Sequence, residues 1–491
     1  MKMRKTFMFT LLIAVFTASF LNAQNTKARL IVLADMGHDP DEEQQITHLL
    51  MCSNEFNLEG LVAVTGRFFR KIPPDTVKRL MPHLFHRLID GYEKVYPNLQ
   101  LHASGYKSPD YLRSIVARGQ EGNGMKDVGK GRASAGSKLI TKAALKDDPR
   151  PLYLVVNSGA NTLAQALYDF RESHTASELK VFLSKLRVFD NGGQDESGAW
   201  ICHEFPDLFY IRSNVQTRAY GGPKNNNLGP YYWHPYDYSP EGQHKWAKEH
   251  IQTNHGALGE LYPDRYVGMF HYVEGGGTVP WLGFVTSGLS DLSKPHWGGW
   301  SGRYSEKKIP NAASAYSIVQ PDELKYEPFS AFTDAEGIVD NWTDPTDGKV
   351  YENEFAPVWR WRWAMWNDLI ARMDWCVEKY VDANHHPIAA INGDIDRKVH
   401  FVNTKPGQEL KLNATASFDP DGDNLEYKWW IYREAGTYNK EVPLGNTYHS
   451  DISFMIPTDA SGHEVHLILE VHDNNEIADL YDYRRIVIEV R

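Results

Sequence analysis

The chain has 491 residues, 42% hydrophobic and 23% charged, enough for two or three domains and a sizeable core. Its formal net charge of −11 comes from scattered residues, which excludes the concentrated basic face that nucleic-acid binding requires. Cys52, Cys202 and Cys376 lie far apart, match no metal or redox spacing, and are expected to be buried thiols.

Lys2, Arg4 and Lys5 precede an apolar stretch over residues 7–21, and Asn22-Ala23-Gln24 offers a small-residue cleavage point. This order predicts a signal peptide over residues 1–23 and an exported protein, periplasmic or extracellular. No later segment is apolar enough to span a membrane, so no membrane partner is expected.

The branched apolar run over residues 30–34 ends in Asp35, Asp39, Asp41, Glu42 and Glu43, five carboxylates within nine residues. Such crowding is electrostatically costly unless solvent or a cation compensates, and a hard cation such as Ca²⁺ takes oxygen ligands. A helix with Ile46, Leu49 and Leu50 on one side follows, and acids in its first turn also complement its dipole. Glu43 is assigned only that role. Asp35 stands at a strand tip, where open α/β sheets build their sites.

Further strands are predicted at residues 60–65, 152–156, 186–189 and 208–211, alternating with helical stretches. The helix between the first two strands makes a crossover of the length parallel strands need. The third strand runs into Asn157-Ser158-Gly159 and a helix through Leu163 and Leu167. Fold class is therefore α/β: an open, mostly parallel sheet with helices on both faces, over residues 24–383.

Residues 218–238 form an insertion in which Tyr231, Tyr232, Trp233, Tyr236 and Tyr238 interleave with prolines. Both a sugar-stacking wall and a packed cover fit. Residues 359–380 read as one long helix whose tryptophans are core, and residues 384–387 as a linker. From 388 to 491, short alternating stretches between polar turns predict an all-β immunoglobulin-like sandwich. Asp419, Asp421 and Asp423 in that module read as turn chemistry ahead of a Ca²⁺ site.

The segment from Asp35 to Glu42 resembles the Asp-rich fingerprint of the nucleoside hydrolases. A closer resemblance, over nearly the whole mature chain, is to secreted nucleoside-hydrolase-like proteins often labelled cellulose-binding. It is carried by Ser53-Asn54-Glu55-Phe56, Tyr96-Pro97-Asn98-Leu99, Gly159-Ala160-Asn161-Thr162, Gln194-Asp195, Trp297-Gly298-Gly299-Trp300 and Asp382-Ala383-Asn384-His385. The stretch around Asp419 resembles polycystic-kidney-disease-type modules.

The resemblance implies a Ca²⁺ held by Asp35, Asp41, Glu42 and the backbone carbonyl of Asn157, with Asp35 also the general base. It implies that Gln194, Asp195 and Glu204 hold substrate hydroxyls, and that Trp300, with Trp297 and Arg303, lines a sugar subsite. His271 and His255 are candidate general acids. One departure stands out: the family's late Asp is absent from residues 271–281, where Glu274 precedes Gly275, Gly276 and Gly277. Glu274 is the candidate replacement.

Three functions follow as expectations. The first is an exported hydrolase of glycosyl bonds in a carbohydrate. The second is a non-catalytic carbohydrate- or cellulose-binding protein on the same fold. The third is a nucleoside N-ribohydrolase acting on a nucleoside-like small substrate.

Overall fold

The computed structural model describes residues 27–37, 40–66, 80–192, 194–213, 215–217, 240–263, 274–286, 288–312, 321–335, 337–345 and 348–491. The expected signal peptide, Asp39, the aromatic insertion over residues 218–238 and His271 lie outside the described residues.

Strand β1 (Arg29–Ala34) places Leu30, Val32 and Ala34 in one hydrophobic core and Ile31 and Leu33 in another. Side chains alternate along a strand, so a continuous apolar run marks one covered on both faces. Full burial of each large side chain contributes about 1.5–3 kcal/mol. Strands β2 (Asn57–Ala63), β3 (Val116–Arg118), β4 (Leu152–Val156), β5 (Leu186–Asn191), β6 (Phe209–Ser213), β7 (Ile309–Pro310) and β8 (Ser330–Thr333) complete the sheet. Its order is β3-β2-β1-β4-β5-β6-β8-β7, and only the β7–β8 pair is antiparallel.

Helices cover both faces. α1 (Pro40–Met51) and α2 (Pro82–His102) bring Ile46, Leu49 and Phe85 to the first core. α3 (Ala160–Ser173) and α4 (Ser197–Glu204) bring Leu163, Leu167 and Ile201 to the second. The expected helix over 359–380 is instead a turn, Ala356–Trp359, followed by α5 (Arg362–Asp374). Trp361 sits at the break, where its ring meets Trp430 at 5.7 Å and Tyr483 at 5.6 Å in the C-terminal module. All three cysteines are buried free thiols.

The C-terminal module has a four-stranded sheet of His400–Thr404, Tyr481–Val490, Glu464–His472 and Glu426–Ile431, in that order. A second sheet pairs Glu409–Asn413 with Asp451–Met455. Val465, Leu467, Leu469 and Val471 fill a core of its own, while Ile468 and Tyr483 join the first core of the α/β unit. Arg485 donates to the Leu289 and Gly298 carbonyls at 2.7 and 2.9 Å across that junction.

Residues 384–387, expected as a linker, are tied to both neighbouring units. Asn384 donates to Asp473 at 2.7 Å, His385 pairs with Asp421 at 2.9 Å and His386 with Asp368 at 2.8 Å. Asp419 Oδ1 accepts the backbone N–H groups of Asp421, Gly422 and Asp423, which is the turn chemistry expected. No helix among the described residues is long and apolar enough to cross a membrane.

Candidate functional site

The chain leaves β1 toward β2 on one side, and β4 lies on the other, so the strand order reverses at the β1–β4 pair. In open α/β sheets, ligands bind outside the carboxyl ends of strands at that reversal. Asp35 is the first residue beyond β1, and Asn157 the first beyond β4; both are buried. Asn157 N–H donates to the Leu33 carbonyl at 3.0 Å, which fixes the two tips side by side. Gly66, just past β2, approaches Asp35 so closely that a Cβ there would lie 1.6 Å from Asp35 Oδ2.

α1 delivers the other acids to the same crevice. Pro40 opens the helix, with Asp41, Glu42 and Glu43 in its first turn. Glu43, also in that turn, pairs with Arg87 at 3.1 Å. Glu42 Oε2 accepts from Gln45 Nε2 at 2.7 Å and from Asn157 Nδ2 at 3.5 Å. Burial, then the Asp35 and Asp41 carboxylates, push the Glu42 carboxyl well above the usual range. Asp41 packs against Gly275, where a Cβ would come within 2.2 Å of its Oδ2.

These residues fit a hard cation. Burial and the neighbouring Asp35 and Asp41 carboxylates disfavour ionisation of Glu42, a cost a cation would relieve, and the donors are all oxygens. Asn157 Oδ1 is buried with no hydrogen-bond partner among the described residues. Burying such an acceptor unmatched is costly. The Asn157 backbone carbonyl, the oxygen expected at the cation, accepts from Gln194 Nε2 at 3.1 Å, which leaves the side-chain Oδ1 as a further available donor.

Gln194 also accepts from Ser158 Oγ at 3.0 Å, so it braces the β4 tip. Asp195 is fully buried, and its Oδ1 accepts from Ser197 N–H at 2.8 Å near the start of α4. Burial pushes its carboxyl up to about 7. Its Oδ2 has no hydrogen-bond partner among the described residues.

Four expected substrate residues stand elsewhere. Glu204 is at the far end of α4, exposed and paired with Arg171 at 2.6 Å. Its place on the helix carries it away from the strand tips. Trp300 is buried, edge-on to Tyr483 with ring centroids 6.4 Å apart, because the C-terminal module covers it. Trp297 meets His466 in the same junction at 4.9 Å, and Arg303 is bound to Asp340 at 2.7 Å.

Glu274 does not replace the missing late Asp. Its carboxylate turns inward to His48 Nδ1 at 3.1 Å and accepts from Thr278 Oγ1 at 3.0 Å. The backbone of Gly275 and Gly277 then presses against Asp41 and Asn157. His255 pairs with Asp374 at 3.1 Å, which gives it a structural partner.

Sequence reasoning missed Gln45, Gly66 and His48. The signal was present in α1, where Gln44, Gln45, Thr47 and His48 interrupt the apolar side yet all are buried. His48, Cys52 and Asp368 have ligand atoms close enough to share an ion. The Arg372 guanidinium lies 2.9 Å from Asp368, and burial pushes the Cys52 thiol up, so a cation there would meet a resident positive charge.

A family model described as the cellulose-binding Sde182 nucleoside hydrolase-like domain matches residues 29–304. A second, described as the C-terminal domain of cellulose-binding protein Sde0182, matches residues 409–490. A solved structure of a nucleoside hydrolase-related protein from Saccharophagus degradans, described as associated with carbohydrate metabolism, is 36% identical. The match covers 95% of this chain and 100% of that one, with a TM-score of 0.79. The PKD domain of human KIAA0319 aligns over 19% of this chain and 78% of its own, at 14% identity and a TM-score of 0.15. That last likeness is too loose to argue from. Comparison with curated proteins finds no match.

Proposed function

The chain belongs to the Sde182 nucleoside-hydrolase-like family, and from that premise we propose that it is an exported hydrolase of a glycosyl bond in a carbohydrate. The observation that supports this reading is the meeting of Asp35, Asp41 and Glu42 at the β1–β4 strand reversal, where burial and the two aspartates raise the cost of ionising Glu42.

Glycosyl hydrolysis needs a water stripped of its proton and a leaving group supplied with one. Asp35 accepts the proton of the attacking water at its carboxylate. Asp41, Glu42 and Asn157, together with Asp35, would hold Ca²⁺, which would supply orientation of hydroxyls and a lowered water pKa. Gln194 is a positioning residue, since it braces the Asn157 carbonyl and the Ser158 hydroxyl. Gly66 leaves room for Asp35 where any side chain would displace it. A carbohydrate is favoured over a nucleoside because the similar protein is described in connection with carbohydrate metabolism.

A second reading, carbohydrate binding without turnover, is favoured by one observation. Backbone at Gly275 lies against Asp41, and Glu274 is committed to His48. Both readings are tested together by incubating the full chain with plant and algal oligosaccharides and with nucleosides. Release of reducing sugar that vanishes in Asp35→Ala, with an unchanged melting temperature, supports the hydrolase. Adsorption to an insoluble polysaccharide, equal in both proteins and without any turnover, selects the binding reading. Turnover of nucleosides alone would select a nucleoside N-ribohydrolase.

A further inference from the structure

A cleft of about 580 Å³ opens between the hairpin of Asp340–Thr343 and Val350–Asn353 and the sandwich strand Glu426–Ile431. It shares no lining residue with the acid cluster. We propose that this cleft is a second site, which binds a neutral sugar chain across Trp342, Trp363 and Trp430.

Size is the first argument. Ligand sites commonly enclose about 300–1,000 Å³. The cavities beside Tyr304 and Arg372 offer only 40 and 20 Å³, and the 330 Å³ hollow beside Phe170 and Lys185 is lined by no tryptophan. The second argument is exposure. Trp342, Trp363, Trp430 and Tyr481 line a concave surface yet remain only half-buried. Large aromatic rings left accessible in a concavity offer apolar faces to a partner.

The rings are also held in place before any ligand arrives. Trp430 Nε1 donates to Glu470 Oε1 at 3.0 Å, and the Arg360 guanidinium lies 5.0 Å from its ring centre. Trp342 stacks on Tyr351 at 5.8 Å, with Arg362 4.8 Å from its centre. Side chains already fixed lose little further freedom on binding.

Charge selects the class of ligand. The lining carries four cationic and three anionic side chains, so its field nearly cancels. Most are engaged with the protein: Lys428 with Glu470 at 3.4 Å, Arg360 with Asp340 at 3.4 Å, Lys440 with Asp459 at 2.5 Å, and Glu434 with the Asn341 N–H at 3.0 Å. A charged ligand finds little net counter-charge across the lining. A wholly apolar ligand would strip water from these groups and replace none of its hydrogen bonds. A pyranose chain satisfies both demands, with C–H faces for the indoles and hydroxyls for the polar rim. Walls from both domains form the cleft, so docking of the sandwich creates it.

The test uses the full chain and cellohexaose as the probe, by titration calorimetry and hydrogen exchange. Trp430→Ala and Trp342→Ala should each weaken binding by about tenfold or more, the loss of one stacking face. The readout is binding and needs no turnover, so failure of the hydrolase reading leaves this result intact. Exchange at 340–343 and 426–431 should slow when cellohexaose is added to the native chain, a readout that needs no variant. The proposal is overturned if the native chain binds no cellohexaose. It is equally overturned if folded tryptophan variants bind normally.

Discussion

His48 in α1 and Glu274, 226 residues further on, meet at 3.1 Å with both side chains withdrawn from water. Burial alone would lower the His48 pKa, but Glu274 and the neighbouring Asp368 hold it well above its ordinary value. The pair fixes where Gly275 and Gly277 lie, and hence the wall of the acid cluster. Removing one partner of a buried pair strands the other, at a cost of about 3–5 kcal/mol. Glu274→Ala and His48→Ala should each lose about that much in urea unfolding, and the double variant less than the sum. With the folded pKa raised, this stabilisation is fully present below the unfolded value and fades as pH rises through the folded one. Additive losses in the double variant would refute the coupling.

Gly66→Ala tests the packing around Asp35. The added Cβ would fall 1.6 Å from Asp35 Oδ2 and 2.5 Å from its Cγ, so the carboxylate must move. Displacing a catalytic group by about an ångström can cost about 100-fold in rate. Turnover of whichever substrate the panel identifies should drop by about that factor, while the chain remains folded by circular dichroism. A variant with native rate would remove Asp35 from the chemistry.

The sheet was legible because β1 and β4 are apolar runs that end at polar tips, and both were placed within a residue. The acid cluster was legible for the same reason, since Asp35, Asp41 and Glu42 lie close in sequence. Glu274 and Trp300 were misread because their partners, His48 and Tyr483, are distant in the chain. The sandwich strand Glu464–His472 alternates as an exposed strand would. Its outer residues His466 and Ile468 are nonetheless fully buried, because the α/β unit covers them. No local pattern distinguishes a face that meets water from one that meets another domain.

Asp195 should make stability fall with pH. Burial holds its folded carboxyl at about 7, above the ordinary aspartate value of about 3.9, so the native state binds the proton more tightly. The stabilisation is complete below the unfolded value and is lost as pH rises toward 7 and beyond. Asp195→Asn keeps an oxygen for the Ser197 N–H and carries no charge. It should gain about 1–3 kcal/mol over the native chain at pH 8 and little at pH 4. Equal gains at both values would place the origin elsewhere.

The two domains should melt together. Trp300, Trp361, Tyr432 and Tyr483 belong to one buried cluster that crosses the junction. Trp300→Ala should cost about 3–5 kcal/mol, as large core truncations do. Calorimetry should record one transition in the native chain, shifted as a whole in the variant. Two resolved transitions in the native protein would show that the junction is too weak to couple them.

Ca²⁺ should raise the melting temperature of the full chain, and EDTA should reverse the gain. A ligand bound only by the native state adds about 2.7 kcal/mol at 100 times its dissociation constant. Asp35→Asn should erase most of this response. Asp419→Asn should leave it unchanged, since that carboxylate serves the turn N–H groups. Because Asp35 and Asp41 help push the Glu42 carboxyl up, a cation must displace a proton to bind there. Affinity should therefore rise with pH, and calorimetry in buffers of different ionisation enthalpy should detect proton release. A response lost in Asp419→Asn but kept in Asp35→Asn would move the metal to the sandwich and leave the acid cluster without one.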